Sequence, residues 1–217
     1  MHILFGGSFD PVHEGHLRTA EALRQRLGTT EIFLLPAARS PLKQHSTPDQ
    51  HRLAMLQLAL RDYPSLKIDD RELRRPPPSF TIDTLRELRL ELGAAEPIVW
   101  VIGADALEYL SQWKDWQQLT SLAHLLVVER PGGRWPEQGP VADWLAGFTA
   151  PCTTDAELNQ LQCAPGGKLA RINLTPMPVS STAIRNALAA RMPGTAKPDG
   201  LPDSVWHYII EHSLYQV

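Results

Sequence analysis

Residues 2–16 read HILFGGSFDPVHEGH. The opening HILF is a short apolar run that suits a buried parallel strand. It hands over at Gly6 and Gly7 to a loop with a third glycine, a proline, an aspartate and two histidines three residues apart. Beyond the loop, Leu17, Ala20, Leu23 and Leu27 recur at helical spacing, and Gly28 supplies a stop. A strand, a glycine-rich turn and a helix make the first half of a βα unit. Ligands of open parallel sheets sit at such strand ends.

The alternation continues outward from that stretch. EIFLL (31–35) reads as a second strand, and STPDQHRLAMLQLAL as a helix with Thr47 as N-cap, Pro48 at its first position and Gln50 closing a capping box. LKID (66–69) predicts a strand, SFTIDTLRELRLELG an amphipathic helix stopped at Gly93, and PIVWVIG (97–103) a β-branched strand. ADALEYLSQWKDWQQL reads as helical and HLLVVER (124–130) as the next strand. From 131 to 168 the pattern is loop-like apart from a helix around 155–161. RINL (171–174) suits a last strand, SSTAIRNALAARM (180–192) a capped helix and DSVWHYIIEH (203–212) a final amphipathic one. Strands separated by crossover helices predict an α/β fold: a doubly wound, mainly parallel sheet with helices on both faces. We expect a single domain over 1–217, with 131–168 a candidate insert and 180–217 the C-terminal helices.

Composition narrows the function classes. The 217 residues are 43% hydrophobic and 21% charged, with a formal charge of −3 and no long basic run, so no nucleic-acid partner is expected. No apolar stretch approaches the roughly 18 residues of a membrane-spanning helix, and MHILFGG lacks the charged start of a signal peptide. No membrane partner is expected. Cys152 and Cys163 have neither CxxC spacing nor histidine companions, as in a reducing cytoplasm.

The loop has the chemistry of a polyanion site. Gly6 and Gly7 would let backbone amides near Gly7 and Ser8 approach a bulky anion, and Asp10-Pro11 ends the strand. With a helix beginning near Val12, His13 and His16 share one side of its first turn, where free N–H groups and the dipole favour an anion. Gly15 would keep the surface between them open. The stretch is neither a G-x-G-x-x-G fingerprint nor a Walker loop. His-x-x-His alone also fits a metal pair or two solvated histidines, although no Cys or further His lies close by to complete a zinc site.

Other segments carry compatible chemistry. Ser180, Ser181 and Thr182 offer hydroxyls and free amides at a helix start, with Arg185 in its first turn. A cation there opposes the dipole by about 0.3–1 kcal/mol unless an anion lies between. ARSPLKQHS (38–46) is a basic loop that could fold over phosphates, with Lys43 as a point charge on a leaving pyrophosphate. Gly103 and Asp105 follow a buried strand, where a carboxylate commonly meets a ribose. Trp113 and Trp116 are three apart, a spacing seen more often in a core than in a ligand site. Arg130 closes a strand at the ligand-facing end.

Gly6 to His16 resembles the signature of the nucleotidyltransferase superfamily with an H-x-G-H motif, here His13-Glu14-Gly15-His16. Its G-G-[ST]-F-D-P-x-H-x-G-H form is most similar to the bacterial nicotinate-mononucleotide adenylyltransferase family. VSSTAIR (179–185) resembles that family's segment that holds the ATP phosphates. Gly103, Asp105 and Trp113 match a G-x-D-x(7)-W pattern whose Trp stacks on the pyridine ring. Thr81, in SFTIDTL, and the N–H of Lys114 match the contacts to the pyridine carboxylate. The chain departs from the family at Leu42, where P-P-H-[KR] usually places a histidine.

The resemblance implies a Rossmann-like domain that transfers AMP from ATP to the 5′-phosphate of nicotinate mononucleotide without a covalent enzyme intermediate. His13, His16, Lys43 and Arg185 would carry the reaction. Gly6, Gly7, Ser8, Phe9, Gly103, Asp105, Ser180, Ser181 and Thr182 would bind ATP alongside them, and Thr81, Trp113 and Lys114 would bind the acceptor. Mg²⁺ would arrive with ATP, with no metal held by the protein itself. Three other readings remain open at this point: the same chemistry on another acceptor such as phosphopantetheine, a nicotinamide-dependent oxidoreductase, and a non-catalytic nucleotide sensor.

Overall fold

The computed structural model describes residues 1–38, 47–129, 135–148, 151–175, 177–190 and 195–215. Lys43, Leu42 and Arg130 lie outside them. Among the described residues the strands are β1 (His2–Gly7), β2 (Ile32–Pro36), β3 (Leu66–Ile68), β4 (Ile98–Gly103), β5 (His124–Glu129) and β6 (Leu169–Asn173). The helices are α1 (Glu14–Arg26), α2 (Asp49–Ala59), α3 (Arg71–Arg74), α4 (Thr81–Leu92), α5 (Ala104–Glu108), α6 (Leu119–Leu122), α7 (Pro140–Ala146), α8 (Asp155–Asn159), α9 (Ser181–Ala189) and α10 (Asp203–Glu211).

The strands form one sheet in the order β3-β2-β1-β4-β5-β6, and every neighbouring pair is parallel. This is the doubly wound order with its switch point between β1 and β4. The apolar runs are continuous because both faces are covered, and the two-residue period divides each strand between two cores. Ile3 and Phe5 of β1, Val99 and Val101 of β4 and Leu126 of β5 pack with Leu17, Leu23, Met55, Leu56 and Ile209 on one face. Leu4, Ile98, Trp100, Ile102 and Val127 pack with Ile82, Leu85, Leu88, Leu107 and Leu145 on the other. The register Phe5 to Val101 sets the end of β1 level with the end of β4, so Gly7 and Gly103 flank the switch point.

Local structure departs from the sequence patterns at three places. Thr47 does not cap α2: its N–H is held by the Asp10 carboxylate, and the carbonyl of Pro48 opens the helix by accepting from His51 and Arg52. Pro48 keeps an extended ψ of 142°, so neither the first-position role of Pro48 nor the capping box at Gln50 forms. The ADALEYLSQWKDWQQL stretch is not one helix. It breaks into α5, a 3₁₀ turn at Leu110–Gln112, a second at Trp116–Gln118 and α6, because Asp115 adopts a left-handed φ of 49°. Between β5 and β6 the crossover carries α7, which loop-like composition hid behind Pro140, a residue suited to a first helical turn.

His124 begins β5 fully buried. Its Nε2 lies 2.8 Å from the Ala164 carbonyl, and its Nδ1 accepts the Lys168 N–H at 3.1 Å. Only a neutral imidazole can make both bonds, and burial lowers its pKa below the ordinary 6.5. A depressed histidine contributes stability that is complete above the unfolded-state value and lost as pH falls from there through the folded value. We therefore expect the thermal midpoint to fall between pH 7 and 5, with a shallower fall in His124→Gln. His2, also lowered by burial, leaves part of the slope in place. Equal slopes in both proteins would refute the assignment.

Candidate active site

The site assembles where β1 ends. His13 is the N-cap of α1, with an extended φ of −148°, and the helix begins at Glu14 rather than near Val12. His16 is therefore the third helical residue. Its Nδ1 accepts the His13 backbone N–H at 3.3 Å, one arm of a capping box built from imidazoles. An Nδ1 that accepts leaves the ring proton on Nε2, so His16 presents an N–H donor on its far side. The two rings stack with centroids 3.7 Å apart. His13 is buried and His16 half-buried. His16 is thus the more open of the pair.

The glycines make room for rings. A Cβ on Gly7 would meet Cζ of Phe9 at 2.9 Å, and one on Gly6 would meet the Trp100 indole at 3.3 Å. A Cβ on Gly15 would strike both the His13 ring and Val179 at 2.9 Å. The surface between the histidines is therefore filled by packing and not left open. Phe9 adopts φ 46°, is buried, and sets its ring edge-on to His16 at 5.0 Å. The aromatic floor thereby fixes the tilt of His16.

The second phosphate motif docks on the same loop. Ser180 caps α9 by accepting the Ala183 N–H, and Ser181 Oγ donates to the Pro11 carbonyl at 3.0 Å. Arg185 donates to the Asp10 carbonyl at 2.6 Å and to the Thr182 hydroxyl at 3.2 Å. It is the fifth residue of α9, one past the first turn, and reaches back along the helix to the loop. Residues 170 apart in sequence are joined here, so the two candidate phosphate motifs meet at one loop.

Gly103 and Asp105 stand across the switch point, with the Asp105 carboxylate folded back over Gly103. On the outer side of the crevice Thr81 is the first residue of α4. Lys114 pairs with Asp83 of α4 at 2.9 Å and sits over the Phe80 ring, while Arg86 ties Asp115 to the same helix at 3.0 Å. These pairs hold the Trp113–Lys114 segment against the start of α4, the helix that Thr81 opens. Trp113 is half-buried at the rim of the second core, whereas Trp116 packs edge-on against Trp144 at 5.3 Å.

Two residues of the site are not among those singled out in sequence. Asp10 is buried, and its carboxylate accepts from the Thr47 N–H and the Tyr215 hydroxyl, tying the C-terminal segment to the loop. Arg52 is 1% exposed and bonds the Ser8 carbonyl at 2.6 Å. Its signal was present: Arg52, Met55, Leu56 and Ala59 share one helical face, so an arginine occupies an apolar stripe.

Residues 4–187 match the cytidylyltransferase-like family. A curated relative from Hahella chejuensis (strain KCTC 2396), named "Probable nicotinate-nucleotide adenylyltransferase", is 44% identical over 98% of this chain and 94% of its own. The chain belongs to the nicotinate-nucleotide adenylyltransferase family. A second member, from Cellvibrio japonicus (strain Ueda107), is 42% identical over 98% of this chain and 97% of its own. The solved structure of Plasmodium falciparum nicotinic acid mononucleotide adenylyltransferase complexed with NaAD superposes with a TM-score of 0.72. It covers 98% of this chain and 96% of its own at 18% identity, a likeness of fold. Family membership removes the oxidoreductase reading.

Proposed function

We propose that this chain transfers AMP from ATP to the phosphate of nicotinate mononucleotide, giving nicotinate adenine dinucleotide and pyrophosphate, a step of NAD biosynthesis. The observation that carries the reading is the docking of α9 onto the Asp10–Pro11 turn, because it puts both phosphate motifs around one loop at the switch point.

An oxygen of the acceptor phosphate attacks the α-phosphorus, the bond from that phosphorus to the bridging oxygen breaks, and pyrophosphate leaves with the electron pair. The nucleophile is already an anion at neutral pH, so the step needs positioning and charge stabilisation and no general base. We assign the Nε2 N–H of His16 and the amides of Gly7, Ser8 and Phe9, approached past Gly6, to the α-phosphate. His13, Lys43 and Arg185 neutralise the β and γ phosphates, supported by the amides and hydroxyls of Ser180, Ser181 and Thr182. Gly103 and Asp105 face the ribose. On the acceptor side Trp113 stacks on the pyridine ring, and the Lys114 N–H and Thr81 hydroxyl meet its carboxylate.

Mg²⁺ would be carried on the ATP phosphates, where it would offset the charge of the leaving pyrophosphate beside Lys43 and Arg185. Among the described residues no group of three or more His, Cys, Asp or Glu could hold it. The Asp10 carboxylate of the loop accepts from Thr47 and Tyr215. No helix of the described residues is long and apolar enough to cross a membrane. We place the reaction in the cytoplasm.

The test is pyrophosphate release from ATP and Mg²⁺ with nicotinate mononucleotide, nicotinamide mononucleotide, phosphopantetheine and glycerol 3-phosphate. Release with nicotinate mononucleotide is expected to exceed release with its amide analogue at least about tenfold, since amide donors aimed at a carboxylate lose a charge-assisted bond when it becomes an amide. Release only with another acceptor would overturn the roles of Trp113, Lys114 and Thr81. ATP binding without release in any arm would indicate a sensor.

A further inference from the structure

Arg52 is a buried cation on α2, next to the phosphate loop. Its Nη1 donates to the Ser8 carbonyl at 2.6 Å, and its Nη2 donates to the Ala37 carbonyl and the Asp49 carboxylate, both at 2.7 Å. Its Nε donates to the Thr47 carbonyl at 3.2 Å. Four of the five N–H groups of the fork are thereby aimed at three strands of backbone and one acid.

A carbonyl that is captured also aims the amide behind it. In a trans peptide the C=O and the following N–H point in opposite directions. The Ala37 carbonyl is captured in the same way, by the nitrogen of Arg52 that also reaches Asp49. By the same geometry the Ser8 carbonyl, pinned to Arg52, turns the Phe9 N–H away from α2. A guanidinium on the carbonyl also withdraws electron density through the peptide, which makes that N–H a stronger donor.

We propose that Arg52 is a positioning residue for adenylyl transfer: it orients and polarises the Ser8–Phe9 peptide so that the Phe9 N–H donates to the α-phosphate of ATP. The inference rests on the adenylyl-transfer reading above. It requires arginine specifically, because a lysine ammonium carries three donors on a point charge and cannot span the Ser8, Ala37 and Thr47 carbonyls in a plane.

The experiment compares the full-length wild type with Arg52→Lys. Turnover is followed with ATP, Mg²⁺ and nicotinate mononucleotide, and the Phe9 amide by ¹H–¹⁵N spectra with a non-hydrolysable ATP analogue and Mg²⁺. Arg52→Lys is expected to lose about 10- to 100-fold in kcat, while KM for nicotinate mononucleotide changes by less than about threefold. The Phe9 amide proton is expected to move downfield on analogue binding in the wild type, and to move much less in the variant. Turnover of Arg52→Lys within about threefold of wild type would overturn the proposal. So would a rise of the acceptor KM in step with the loss of kcat, or a wild-type Phe9 amide that the analogue leaves unmoved. If Arg52→Lys fails to fold, Arg52→Gln is compared with the wild type by the same two measurements, with the same results expected and the same results overturning the proposal. A wild type that shifts its Phe9 amide but releases no pyrophosphate would sink the adenylyl-transfer reading, and the smaller Phe9 shift in the variant would then show separately whether Arg52 aims that amide.

Discussion

His16→Ala is expected to lower kcat by about 10²- to 10³-fold while KM for ATP moves by less than about threefold. The ring is placed by three contacts that need no substrate: the stack on His13, the edge of Phe9 and the bond from the His13 N–H to Nδ1. The ring's other nitrogen, Nε2, carries the proton and belongs to a half-buried residue at the first turn of α1. A donor fixed in advance stabilises charge that grows on the α-phosphate oxygens more than charge already there, so its loss falls on the transition state. The alanine variant also removes the cap and part of the aromatic packing. His16→Asn separates the two roles, because its side-chain oxygen can still accept the His13 N–H while the outer donor is gone. We expect His16→Asn to keep most of the thermal stability and to lose nearly as much turnover as His16→Ala. A kcat for His16→Asn within about threefold of wild type would remove His16 from the chemistry.

The parts of this molecule that were legible in sequence are those where one residue type has one use. Apolar runs bounded by glycine gave the strands, and Gly28 and Gly93, with φ of 61° and 85°, stop α1 and α4 where their spacing said they should. Parallel pairing followed because helical patterns lay between the runs. The residues that were misplaced have several uses, and tertiary contacts choose among them. Thr47 is a good N-cap by type, but Asp10 from another element claims its N–H. The polar stretch holding Trp113 and Trp116 has helical spacing, but ion pairs from Asp83 and Arg86 hold a turn open there at Asp115.

The candidate site divides in the same way. His13, His16, Ser181 and Arg185 lie in two short motifs, and each could be assigned to an anion from its chemistry. Their meeting could not be read from spacing, since it depends on Arg185 and Ser181 finding the carbonyls of Asp10 and Pro11. Arg52 and Glu72 were hidden because charged residues on helices are expected to face water. Both are buried here, Glu72 with its pKa raised chiefly by burial while Thr84 donates to it. Arg52 sits against backbone beside the candidate site, where its fixed charge pairs the Ser8, Ala37 and Thr47 carbonyls that secondary structure leaves over.

Gly7→Ala is expected to destabilise the fold by about 1–3 kcal/mol, or about 2–4 °C of thermal midpoint for each kcal/mol, and to lower turnover at least tenfold. Nothing about the backbone at Gly7 forbids a side chain, because its φ lies outside the left-handed region. The conflict is with Phe9, whose Cζ and Cε1 would lie 2.9 and 3.0 Å from the new Cβ. Phe9 cannot yield cheaply: it is 1% exposed, edge-on to Phe5 at 6.1 Å and edge-on to His16 at 5.0 Å. Moving its ring therefore moves His16, and stability and turnover should fall together. If the glycine serves only the approach of an anion, Gly7→Ala should weaken ATP binding at an unchanged thermal midpoint. A double-mutant cycle with Phe9→Leu decides between them. Shortening the ring removes the clashing carbons, so Gly7→Ala should cost much less stability in the Phe9→Leu background than in the wild type. Equal costs in the two backgrounds would mean that Phe9 is not what Gly7 accommodates.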